Sequence, residues 1–279
     1  MVVKIVTDST SDISPEIADA LGITVVPVYL RFGDEVYQDG VDISSAEFYR
    51  RLVTSPVHPA TSQPPPQDFA TVYSDCSKEA GAIISIHVSA KSSGTCNSAL
   101  QGRKMTEGKC QIEVVDSRFT SVGLAMVVMA AARLARAGGN LQSVLEETHR
   151  TISQVRMLGV FDTVKYLVLG GRVSKAVGMV ASMLQIKPLL TFKDGEVVRA
   201  GLVRTFSSGM DRLYEFVERA PAIQELAIAY STVPEQANQL RARLGSIFPE
   251  EKIYVTQLGT ALGVHGGPGA IALALRRGE

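Results

Sequence analysis

A net charge of either sign is missing from this chain, in which 28 lysines and arginines are balanced by 28 aspartates and glutamates over 279 residues. General attraction to nucleic acid or to an anionic membrane needs a basic surplus on one face, so neither partner is expected. Long apolar runs are also missing. The longest uncharged apolar stretch, residues 122–132 ahead of Arg133, falls far short of the roughly 20 residues with which a helix crosses a bilayer. No stable membrane insertion is expected, and because Asp8 and Asp12 interrupt the N-terminal segment before a signal-like apolar region forms, the expected compartment is the cytoplasm. Cysteine is scarce: Cys76, Cys96 and Cys110 are odd in number and lack a Cys-x-x-Cys spacing. That argues against a disulfide framework or a thiolate zinc site and leaves them as small buried hydrophobes.

Common catalytic signatures are absent as well. No Gly-x-x-x-x-Gly-Lys-Ser/Thr loop exists to cradle a nucleotide phosphate, and no Gly-x-Ser-x-Gly elbow surrounds Ser93, since residue 91 is lysine. Asp8 and Asp12 are four apart, whereas haloacid-dehalogenase-type phosphotransferases place nucleophile and acid two apart. The run from Gly267 to Ala272 imitates a dinucleotide fingerprint, but too little sequence follows it for a second strand and a ribose-binding acid. No ATP site and no cofactor are expected.

What is present is an ordinary globular composition, 46% hydrophobic and 20% charged, with room for one large or two moderate domains. In the first half, β-branched runs at 3–7, 25–30, 82–88 and 112–115 alternate with helical patterns near 15–21, 46–53, 68–79 and from about Gly94, which is the logic of a parallel α/β sheet. Two helical patterns follow, 119–136 and 141–155, with Asn140 as the N-cap of the second. Beyond residue 156 the character changes to short strands at 158–162, 187–192, 197–203, 225–229 and 252–255, separated by helices near 176–184, 209–219 and 234–245. The turn 193–196 predicts an antiparallel hairpin. The expected architecture is α/β in two domains: 1–156 with a mainly parallel sheet flanked by helices, and 157–279 with a mixed sheet and helices.

Polar side chains gather where predicted strands end: Asp8-Ser9-Thr10-Ser11-Asp12, Ser89 to Thr95, and Asp116-Ser117. In open α/β sheets that edge is where ligands bind. A further hydroxyl-rich segment, Thr61-Ser62-Gln63-Pro64, reads as a loop preceding a helix, whose free N–H groups suit an anion. Taken singly each segment reads as a helix cap; their common position favours a site. His58, His87 and His149 read as solvated or core-satisfied rings, while His265 stands apart inside a glycine cluster.

Taken in order, Asp8–Asp12, Thr61–Pro64, Ser93-Gly94-Thr95, Asp116-Ser117, Gly170-Gly171-Arg172, Ile186-Lys187-Pro188, Asp194-Gly195 and His265-Gly266-Gly267-Pro268-Gly269 resemble the DegV family over essentially the whole chain. These are bacterial fatty-acid-binding proteins that include the binding subunit of fatty acid kinase. Cys96 departs from the family's usual aromatic, and residues 164–169 vary the segment before the glycine pair. The resemblance implies a DegV-like two-domain fold with a long acyl chain in a buried tunnel. It implies a carboxylate held around Thr61, Ser62, Ser93, Gly94, Thr95 and His265, with Arg172, Arg204 and His265 facing a separate ATP-binding kinase subunit that forms the acyl phosphate. Apolar residues 122–132 and 176–184 are expected to line the tunnel. The competing reading is a Ser/His hydrolase or acyltransferase acting on acyl esters through Ser93 and His265, which requires a hydrogen bond between them.

Overall fold

The computed structural model describes residues 2–108, 110–172 and 186–278. A four-stranded sheet has the order β2-β1-β6-β7, formed by β1 (Val3–Asp8), β2 (Ile23–Val26), β6 (Ala82–His87) and β7 (Gln111–Asp116), all parallel. Both faces are covered, as parallel sheets require. On one side Val6, Ile83 and Ile112 pack with Phe69 and Tyr73 of α3 (Pro66–Cys76) and Ala99 of α4 (Thr95–Met105). A small antiparallel sheet, β3 (Tyr29–Phe32), β4 (Glu35–Gln38) and β5 (Ala60–Ser62), stands beside it.

The second large sheet has the order β10-β9-β8-β13-β11-β12. It comprises β8 (Val155–Phe161), β9 (Lys187–Lys193), β10 (Glu196–Val203), β11 (Ile223–Tyr230), β12 (Tyr254–Gln257) and β13 (Ala270–Arg277). Only the β11–β12 pair is parallel. Leu158, Val160, Ile271 and Leu273 face outward beneath α8 (Phe206–Glu218) and α9 (Pro234–Leu244).

Between the two large sheets lies α5 (Ser121–Arg136), buried all round from Ser121 to Ala132. It touches β1 and β6 on one side and β8, β11 and β13 on the other, which is why its sequence carries no polar face. The next helix, α6 (Leu141–Gln154), begins at Asn140, whose side chain accepts from the Ser143 N–H at 2.9 Å. No helix among the described residues is long and apolar enough to cross a membrane.

Several expectations change. Residues 122–132 do not line a tunnel; they form the solid core between the sheets, and only Thr120 and Ser121 at the head of α5 reach the cavity described below. Residues 176–184 lie outside the described residues. The three cysteines are free, with Cys96 buried but Cys76 and Cys110 only half-buried. Strand β13, at the centre of the second sheet, has no counterpart among the expected strands, and the glycine cluster around His265 contains a helix.

Candidate functional site

The inner face of the second sheet floors a cavity of about 1110 Å³, its open mouth included. Strand alternation sends Met157, Gly159 and Phe161 of β8, Leu190 and Phe192 of β9, and Ala270 and Ala272 of β13 to this face. Register aligns the smallest of them: Gly159 pairs with Ala272, and Ala272 with Ala229 of β11. A row of Gly, Ala and Ala across three adjacent strands leaves a trough where longer side chains would meet α5.

The polar end is assembled from several segments. Thr61 projects from β5, correcting its expected placement in a loop, and its Oγ1 lies 3.0 Å from His265 Nε2. Ser93 precedes α4; its Oγ lies 2.8 Å from Thr95 Oγ1 and accepts from the Thr95 N–H. Gln63, Ser92 and Thr10 complete the hydroxyl and amide lining, and Arg172 stands at the mouth. The Asp8 carboxylate holds the turn after β1 in place, accepting from Thr10 N–H and Oγ1, from Val88 N–H and from His87 Nδ1 at 3.0 Å. His87 is therefore a satisfied core ring, its Nε2 paired with Ser85.

His265 sits in α10 (Thr260–Gly266). Burial, and secondarily the Arg172 guanidinium, pull its imidazole down to about 4, so the ring is neutral near pH 7. Its Nδ1 packs so closely on Gly170 that any Cβ there would collide with it. Arg172 Nη1 donates to the Gly170 carbonyl at 2.9 Å.

Helix α10 has no capping side chain of its own, since Gly259 precedes it. Asp39 caps it from a distance, accepting from Thr260 N–H at 3.0 Å, Thr260 Oγ1 at 2.7 Å and Ala261 N–H at 3.3 Å. Asp12 accepts from Gly259 N–H at 2.9 Å and from Ser121 Oγ at 2.5 Å, joining the first sheet, α5 and α10. A Cβ on residue 259 would stand 2.9 Å from Asp12 Oδ1, which is why glycine occupies it. Burial raises both carboxyls, Asp12 to about 8.

A chain with two docked α/β layers around an apolar trough matches, over residues 2–277, a family model described as "Uncharacterised protein, DegV family". The chain belongs to the DegV family. A DegV domain-containing protein of Caldanaerobacter subterraneus is 34% identical over 271 residues, covering 96% of each chain. A DegV family protein of Thermus thermophilus, described by its fatty acid binding, has a TM-score of 0.90 and 32% identity over 99% of this chain and 100% of that one. DegV of Bacillus subtilis, described as a fatty acid binding protein, has a TM-score of 0.89 and 27% identity over the whole of both chains.

In this member of the DegV family the site residues expected from sequence divide into two groups. Thr61, Ser93, Arg172 and His265 line the cavity. Thr95 is buried behind Ser93, and Gly94 packs on the Gln63 side chain. Ser62, next to Thr61 on a strand, is exposed on the other face, and Arg204, exposed just past β10, is no part of the cavity wall. Asp116 and Ser117 serve a turn, accepting from the N–H groups of Arg118 and Phe119. The Ser–His pair needed for hydrolysis is not formed among the described residues: Ser93 turns to Thr95, and His265 Nε2 to Thr61. No cluster of three or more His, Cys, Asp or Glu among them suits a metal ion.

Proposed function

We infer that this protein binds a long-chain fatty acid in the trough, with its carboxylate at Thr61, Ser93 and His265, and presents that carboxylate to a separate ATP-dependent kinase subunit for acyl phosphate formation. The observation that carries the reading is the pairing of an apolar trough over Gly159, Ala272 and Ala229 with a polar end built of hydroxyls and a neutral imidazole. The tail supplies affinity, at about 0.8 kcal/mol for each buried methylene, enough for micromolar or tighter binding after association costs. The polar end supplies orientation. Neutral donors leave carboxylate lone pairs available for phosphoryl transfer, whereas a bidentate arginine would occupy them. Arg172 at the mouth and Arg204 on the surface are assigned to the kinase-facing side, where cationic groups stabilise the transferring phosphoryl group.

Mass spectrometry of a denaturing extract tests the binding step. One equivalent of a long-chain carboxylic acid is expected; no acid in the extract and no uptake of added palmitate or oleate would refute it. Thr61→Ala and Ser93→Ala should each weaken palmitate binding by about 1.5–3 kcal/mol, the worth of a hydrogen bond to a charged group, with unchanged melting. Arg204→Ala should keep its fatty acid yet lose acyl phosphate formation with kinase and ATP. An unchanged phosphorylation rate would remove Arg204 from the partner surface.

A further inference from the structure

Phe192 on β9 lines two spaces at once. One is the cavity; the other is a groove behind it of about 1460 Å³, open solvent included. Phe119 meets Phe192 edge to face, with ring centroids 5.8 Å apart at 62°. The groove continues the cavity's apolar character at its floor, through Val115, Ile152 and Val155, before turning polar at a rim that includes Arg118, His149 and Lys193. Phe192, backed by Phe119 on the groove side, thus stands between the trough and a second partly apolar space.

Both rings stand on fixed supports. The Phe119 N–H donates to Ser117 Oγ at 3.1 Å, and its carbonyl accepts from Ser117 Oγ at 3.2 Å and from Ser89 N–H at 2.9 Å. Left-handed backbone at Arg118 (φ 62°) and Ser121 (φ 50°) brackets it, strain that non-glycine residues hold only where surrounding structure imposes it. The hairpin that carries Phe192 is tied down at its tip, where Ser89 Oγ donates to the Gly195 carbonyl at 2.6 Å. Ser89 therefore holds both sides of the partition, one through its N–H and one through its hydroxyl.

We propose that the Phe119–Phe192 pair is the end wall that sets the length of acyl chain this protein accepts, and that the groove behind it takes the end of a longer chain once the wall is opened. The proposal rests on the fatty-acid reading above. In the wild-type protein each added methylene raises affinity until the tail reaches the rings, and then further lengthening gains nothing. With a ring removed, the tail runs on over Val115, Ile152 and Val155.

The test is a set of binding titrations with saturated acids from C12 to C22 on delipidated wild-type protein, Phe192→Ala and Phe192→Leu, each checked by thermal melting. Affinity should level off at one length in the wild type and continue to rise beyond it in Phe192→Ala. The long-to-short preference should shift by tenfold or more, because each further buried methylene is worth about fourfold. Phe192→Leu should shift the same way by less, and it carries the test should Phe192→Ala lose its cooperative melt. Phe119→Leu should reproduce the shift from the other side of the wall. Wild-type binding with an identical length profile in all variants, or a uniform loss at every length, overturns the wall while leaving the fatty-acid reading intact. Absence of binding at every length in the wild type overturns that reading and the wall with it.

Discussion

Replacing Ala272 with leucine separates a ligand trough from ordinary core, because the two assign opposite signs to the change. Ala272 is 7% exposed and central in the row Gly159–Ala272–Ala229, with its methyl facing the cavity. Leucine adds three carbons, and in the ligand-free protein these enter existing space instead of displacing neighbours. Burying them gains up to about 2.4 kcal/mol at roughly 0.8 kcal/mol per carbon, less where the trough walls fail to close around them. The melting temperature of delipidated protein should therefore hold or rise by a few degrees. The same carbons occupy the volume of about three ligand methylenes, so palmitate should lose roughly 2.4 kcal/mol, on the order of 50-fold in Kd. In solid core, the substitution would instead overpack and destabilise by about 1–3 kcal/mol. Paired melts and palmitate titrations of the two delipidated proteins decide between them. A fall in melting temperature with unchanged palmitate affinity would refute the trough.

Asp39→Ala should strip the cap from α10, costing about 2–3 kcal/mol as buried N–H groups lose their acceptor. Amide exchange at Thr260 and Ala261 should accelerate and palmitate affinity should fall, with Asp39→Asn restoring most of both; unaltered exchange in Asp39→Ala would show that the cap is not needed. For Asp12 the folded pKa, about 8, lies above its ordinary 3.8. Its contribution to stability is therefore fully present below about pH 4 and is lost as pH rises through 8. The stability difference between wild type and Asp12→Asn, from urea unfolding at pH 5 and pH 9, should move against the wild type at the higher pH, and a constant difference would contradict the buried acid. In ligand-free protein the His265 ring should titrate near 4 by NMR, and a midpoint at 6 or above would show that it is not shielded by burial and Arg172.

The parallel sheet was legible because Val, Ile and their alternation with helical patterns are local signals, and Asn140 announced its helix for the same reason. Strand β13 was not. Its Ala-Ile-Ala-Leu-Ala-Leu run, 270–275, is made largely of helix formers, and strand conformation is imposed by β8 and β11 on either side. Yet its small–large alternation shapes the cavity: Ala270 and Ala272 face the trough while Ile271 and Leu273 face the outer core. Helix α10 was hidden by its glycines and by a cap that lies 221 residues away in sequence. The segments that carry Thr61 and Ser93 stood out as hydroxyl-rich, and His265 by its glycines, while the family resemblance added a role for Arg172; Ser62 was placed on the wrong face, since motif membership does not say which way a strand residue points. Asp39 bore no motif at all.

The remote cap has a thermodynamic consequence. A helix of seven residues is too short to persist alone, and the carboxyl groups of Asp12 and Asp39 that receive its first N–H groups come from the N-terminal part of the sequence. Helix α10, and the placement of His265 with it, thus depends on acceptors more than 200 residues away in sequence. A ligand that needs His265 would bind the capped state alone and stabilise it by mass action, about 2.7 kcal/mol at a hundredfold excess over Kd. The coupling would run equally in reverse: loss of the cap on α10 would displace His265 and the other α10 residues that line the trough, leaving the strands of its floor in place.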